Sequence, residues 1–160
     1  MPHDRRENWL GLLSFGFFIM LFALFFVIVP DYGSIAVDFL NDFIKPKEVT
    51  PGLFLPAPGN NSEVNETVYG AVMYFCIVFG LFQFSILAFR LYFRSAVRKI
   101  AETFSNIIFW LGSAYAFYLL WSEAVEWFPF IGGMIAVGGF SIIVRSLVTL
   151  LFWRRSQSTQ

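Results

Sequence analysis

At 160 residues, 58% of them hydrophobic, 21% aromatic and only 14% charged, with a mean hydropathy of +0.67, the chain is too apolar for a water-soluble domain, in which about a quarter of residues are charged. Eleven basic and eleven acidic side chains cancel, so no global field argues for nucleic acid or an acidic partner. Cys76 is the single cysteine, which excludes an intrachain disulfide, a CxxC redox pair and a cysteine-based zinc cage.

The run from Trp9 to Val29 carries no charge and closes at Pro30-Asp31. A hydrocarbon core about 30 Å thick takes about 20 helical residues, so this run is expected to be a first transmembrane helix, about 9–29. It is too long for a secretory leader, and no small-x-small cleavage site follows it.

Residues 30–67 form a polar loop that holds five of the seven prolines. Within it Ala36, Phe39, Leu40, Phe43 and Ile44 fall at i, i+3, i+4, i+7 and i+8. That period predicts a short amphipathic helix with Ser34 as N-cap and Pro46 as its stop. Its aromatic face is expected either to lie flat on the membrane interface or to pack on the other helices as a lid. From Lys47 to Asn61 the Pro and Gly spacing predicts an irregular, extended connection.

Three more spans follow, at about 68–93, 104–126 and 130–153, with a basic connector at 94–103 between the second and third. The fold class is therefore an all-α integral membrane protein, one domain over 1–160, with four transmembrane helices as two hairpins and the interfacial helix in the first extracytoplasmic loop. Arg5, Arg6, Arg90, Arg94, Arg98, Lys99, Arg154 and Arg155 fall on one side of this layout, against Lys45 and Lys47 on the other. The excess of Lys and Arg puts both termini and the connector in the cytoplasm of a cell-membrane protein. The layout resembles claudin-like and other tetraspan proteins in topology alone, because their signature cysteines and Trp-Gly-Leu-Trp motif are absent.

The chemistry-bearing positions are few. Gly138, Ser141, Arg145 and Thr149 in the fourth span share one helix face and make a polar stripe that should meet other helices and not lipid. Arg145 can anchor an anion, fix helix packing by pairing, or snorkel to the headgroups. On another face Gly132, Ala136 and Gly139 would let a second backbone approach closely. Gln83 and Asn106 are candidates for interhelical hydrogen bonds. Glu123 and Glu126 share a helix face if the third span runs on to Trp127, and otherwise are solvated turn carboxylates. Asn60 and Asn65 head two N-x-S/T triplets in the outer loop and are expected glycosylation acceptors.

No phosphate loop, HExxH or GxSxG occurs, and no span holds an Asp or Glu near its centre. The sequence thus implies a non-catalytic accessory or structural subunit of a membrane complex, with no cofactor and no metal. Its expected partners are the lipid bilayer and other membrane subunits or a second copy, with no nucleic acid. The alternative is a small oligomeric channel or transporter whose path is lined by the Arg145 stripe.

Overall fold

A computed structural model describes residues 3–59 and 62–157 of the chain. In order they form α1 (His3–Ile28), α2 (Tyr32–Phe43), β1 (Pro46–Thr50), β2 (Leu53–Pro56), α3 (Ser62–Tyr92), α4 (Val97–Trp121) and α5 (Trp127–Gln157). Among the described residues four stretches are long and apolar enough to cross a membrane: Trp9–Ile28, Glu63–Tyr92, Val97–Trp121 and Trp127–Leu151. The protein is a multi-pass membrane protein built on these helices.

The ends of the helices are set by local backbone chemistry. After α1 the chain turns through Val29-Pro30-Asp31-Tyr32, with Asp31 at φ 56° and the Tyr32 N–H donating to the Val29 carbonyl at 3.3 Å. Proline at the second position and a left-handed third residue are what a type II turn requires. Asp31, not Ser34, occupies the cap position of α2, and it makes no side-chain cap bond. The Ser34 hydroxyl instead donates back to the Asp31 carbonyl at 2.8 Å. Pro46 does not end α2, which has already stopped at Phe43; it opens β1.

The connection expected to be irregular contains a β-hairpin. β1 and β2 pair antiparallel, Pro46 with Pro56, Lys47 with Leu55 and Glu48 with Phe54, with a register shift before Thr50 pairs Leu53. Pro51-Gly52 makes the turn, Gly52 sitting at φ 82°, where a side chain would be strained. The Gly52 N–H donates to the Glu48 carboxylate at 2.9 Å. The protein is therefore not all-α outside its membrane-spanning helices.

The spans also start earlier than hydropathy suggests. α3 begins at Ser62 and α4 at Val97, which shortens the expected connector 94–103 to the few residues between Tyr92 and Val97. Arg94 takes a left-handed φ of 50°, and the Ser95 N–H reaches back to the Arg90 carbonyl at 2.9 Å. α4 ends at Trp121 in the same way, with Glu123 at φ 56° and the Ala124 N–H on the Leu119 carbonyl at 2.9 Å. Both are Schellman closures that use a charged residue where glycine is usual. Pro129 lies in the first turn of α5, where a missing N–H costs nothing.

α3 and α4 share the most extensive helix–helix interface, α4 and α5 the next, and α1 lies more lightly on α3. Two glycines make the close approaches. A Cβ on Gly80 of α3 would lie 2.9 Å from Leu111 Cδ2, and one on Gly112 of α4 would lie 2.7 Å from Val137 Cγ1 of α5. At mid-bundle Leu21, Phe75, Cys76, Phe79 and Ala114 form a buried cluster with Phe17, Phe18 and Trp110 against it. A second cluster, Tyr69, Ala116, Leu120 and Phe130, lies towards the loop end. α2 docks there, with Phe39 edge-on to Tyr69 at 5.9 Å and Phe43 to Trp127 at 5.4 Å. Its other apolar ridge, Val37, Leu40 and Ile44, stays exposed.

Candidate functional site

The polar groups of the spanning helices gather at the connector end. The tight turn after α3 brings Arg90 beside the first turn of α4, where its guanidinium donates to the Lys99 carbonyl. The Thr103 hydroxyl donates to the same carbonyl at 3.0 Å. Lys99, Glu102, Thr103 and Asn106 are spaced by three, one and three residues, so they form one polar row down α4. That row is one wall of a cleft of about 980 Å³ between α1, α3 and α4, faced by Ser14 and Gln83 and floored by Phe18, Phe79 and Trp110. Gln83 is 3% exposed, and its amide donates to the Ser14 hydroxyl at 2.9 Å, tying α3 to α1. Asn106, the other expected interhelical donor, makes no hydrogen bond among the described residues; its side chain is exposed on the cleft wall.

The stripe on α5 meets α4 at Ser105 and at Glu102, the member of the row that lies nearest α5. Ser141 is buried; its hydroxyl donates to the Gly138 carbonyl at 2.8 Å, and its own carbonyl accepts the Ser105 hydroxyl of α4 at 2.7 Å. Arg145 faces Glu102, Nη2 to Oε2 at 3.9 Å, with both side chains part-exposed. The Thr149 hydroxyl donates to the Arg145 carbonyl at 2.8 Å from an exposed position. Gly138 contributes its carbonyl, and a Cβ placed on it would meet nothing within 4 Å. Of the stripe, Ser141 and Arg145 meet α4, whereas Gly138 and Thr149 bond only within α5. Glu102 is the residue that sequence reasoning missed. It falls in the stretch read as a cytoplasmic connector, and only the early start of α4 places it opposite Arg145.

The remaining candidates are dispersed. Gly132 and Gly139 have nothing within 4 Å of a built Cβ, and with the exposed Ala136 they lie on the far side of α5 from Ser141. Within the chain the close helix approaches are instead at Gly80 and Gly112. Glu123 and Glu126 do not share a helix face, because α4 stops before them; both are exposed in the turn. They line a hollow of about 520 Å³ with Glu66, Tyr69, Trp121 and Trp127. No group of three or more His, Cys, Asp or Glu among the described residues is placed to hold a metal ion. Asn65 sits in the first turns of α3, half-buried, its amide donating to the Gly59 carbonyl at 2.6 Å. Asn60 lies outside the described residues.

Comparison with known protein families, with curated proteins and with solved structures finds no match.

Proposed function

We propose that the chain is a non-catalytic subunit of a membrane protein complex, seated in the cell membrane with both termini cytoplasmic, and that α5 carries its partner-facing surface. The two faces of α5 support this reading. Ser141 and Arg145 are engaged with α4, whereas Gly132, Ala136 and Gly139 on the opposite face meet no neighbour. In lipid, small residues favour association because they let two helix backbones come close and gain dispersion contacts. The same use of the stripe weakens the reading of a channel, since the Arg145 charge is directed to a carboxylate on the neighbouring helix.

In this reading the spans insert as two hairpins, and α2 lies at the outer interface. There Phe39 and Phe43 rest on the bundle, while Val37, Leu40 and Ile44 are left for the headgroup region. A glycan at Asn65 would be carried by the same Nδ2 that donates to the Gly59 carbonyl, and Asn60 is the second expected acceptor in a competent host.

Affinity purification in a mild detergent tests the subunit reading. A stoichiometric partner, another subunit or a second copy, should be recovered with the natural chain. Gly139→Leu should reduce that recovery at least fivefold while leaving the isolated chain as stable as before. Recovery that is unchanged by Gly139→Leu, or a chain that purifies alone as a monomer, refutes it.

A further inference from the structure

α1 rests lightly on α3, and a groove of about 560 Å³ runs between them. Leu21, Leu24 and Ile28 of α1 form one wall, and Ala71, Tyr74 and Val78 of α3 the other, all within spanning stretches. From Glu66 to Val78 the groove follows α3 for twelve residues, roughly 18 Å of helix rise. Its one charged residue is Glu66, at the end nearest the loops. Thr67 lines the same end, but its hydroxyl is spent on the Glu63 carbonyl at 2.9 Å. Trp121 of α4 closes that end: it lies against α3 at Gly70, where a Cβ would stand 3.5 Å from the indole Nε1.

The Glu66 carboxylate makes no hydrogen bond or ion pair among the described residues. Glu66 and Trp121 also line the hollow that holds Glu123, Glu126 and Trp127, so groove and hollow join at these two residues. Among the described residues no Lys, Arg or His lines either of them. Lys47 of the hairpin is occupied with Asp42 at 3.2 Å. The three carboxylates are not placed to hold a metal ion between them. A broad organic cation needs no such convergence. It gains from several carboxylates at longer range and from the faces of tryptophan rings.

We propose that groove and hollow together bind one amphiphile with an ammonium head and a single apolar tail. The head lies by Trp121 and Trp127, with Glu66, Glu123 and Glu126 around it, and the tail runs down between α1 and α3. The carboxylates alone would be solvated turn residues; the apolar groove that ends on Glu66 makes an amphiphile the occupant. A phospholipid is disfavoured, because its phosphate would meet three carboxylates and no cation. The proposal is independent of the partner surface on α5.

Nuclear magnetic resonance of the indole N–H groups tests it, with the full chain in a non-ionic detergent titrated with hexadecyltrimethylammonium. The Trp121 and Trp127 signals should shift and saturate, while those of Trp9 and Trp110, which line neither groove nor hollow, stay in place. Hexadecyltrimethylammonium should bind at least tenfold more tightly than hexadecanol and at least fivefold more tightly than hexadecylphosphocholine, which have the same tail. Tetramethylammonium, a head without a tail, should leave the signals unmoved at the same concentration. Glu66→Gln should weaken binding at least fivefold, and Glu123→Gln with Glu126→Gln at least threefold, with thermal midpoints unchanged. Equal binding of hexadecanol, which would mean partition of the tail alone, overturns the proposal. So does equal binding of hexadecylphosphocholine, which would make the site one for phospholipid headgroups, or of tetramethylammonium, which would leave the groove no part. Wild-type affinity in both sets of variants overturns it as well.

Discussion

Replacing Arg145 separates a residue that fastens two helices from one that extends to the headgroups. The Nη2–Oε2 distance to Glu102 is 3.9 Å. Two unit charges at that separation attract by about 4 kcal/mol at an effective dielectric constant of about 20, and by about 1 kcal/mol in water. The side chains are 40% and 45% exposed within the protein, so the weaker value is the better guide. Buried polar pairs between membrane helices also average about 0.6 kcal/mol and reach about 1.7. A coupling of about 1 kcal/mol is therefore expected. The assay is a double-mutant cycle with Arg145→Leu and Glu102→Gln, unfolded reversibly by a denaturing detergent in mixed micelles. Arg145→Leu should destabilise by about 1–2 kcal/mol with Glu102 present and by about 1 kcal/mol less without it. Arg145→Lys should recover part of the loss, since it keeps the charge but not the planar fork. A coupling below about 0.3 kcal/mol, or an Arg145→Leu variant that is more stable in both backgrounds, would refute the pairing and place Arg145 among snorkelling residues.

Gly112→Leu should destabilise by about 1–3 kcal/mol in the same assay, because Val137 already stands 2.7 Å from where the first added carbon would go. Gly139→Ala, with nothing within 4 Å, should be neutral or gain up to about 1 kcal/mol in the isolated chain from helix propensity. Gln83→Leu removes the bond to Ser14 and should cost about 0.6 kcal/mol, read as faster amide exchange confined to α1 and the facing part of α3. With Cys76→Ala as background, Glu48→Cys and Ala96→Cys should be labelled by a membrane-impermeant maleimide from opposite sides of intact vesicles; labelling from the same side refutes the topology.

The spans were legible because hydrophobic length is a property of sequence alone, and a bilayer imposes it. Their ends were less so. Arg94 and Glu123 adopt left-handed closures normally marked by glycine, so nothing in the sequence signals the turns they make. Pro51-Gly52 was a visible turn signal, but five prolines in one loop made it read as irregular chain and hid the strands on either side. Arg145 could be singled out from its cost in lipid, whereas its partner could not, since Glu102 falls within a spanning helix only once α4 is known to begin at Val97. The working glycines had a faint sign: Gly112 is followed by Ser113, Ala114 and Ala116, a run of small residues suited to close helix packing. The three small residues of α5 carried a similar sign and face outward.

The light seating of α1 has a consequence for the order of assembly. α3, α4 and α5 follow one another through short turns, so each can find its neighbour by closing a small loop soon after entering the bilayer. α1 is separated from α3 by α2 and the β-hairpin, so a longer loop must close before the two meet. With its smaller interface on α3, α1 is expected to stay surrounded by lipid until α3 arrives. α2 can make its last contact only when α5 is present, because it rests on Tyr69 of α3 and also on Trp127, the first residue of the last helix. A chain stopped after α4 would have three spans in place and the main seat of α2 on α3 formed, and would lack only the Phe43–Trp127 contact that ties α2 to the last helix.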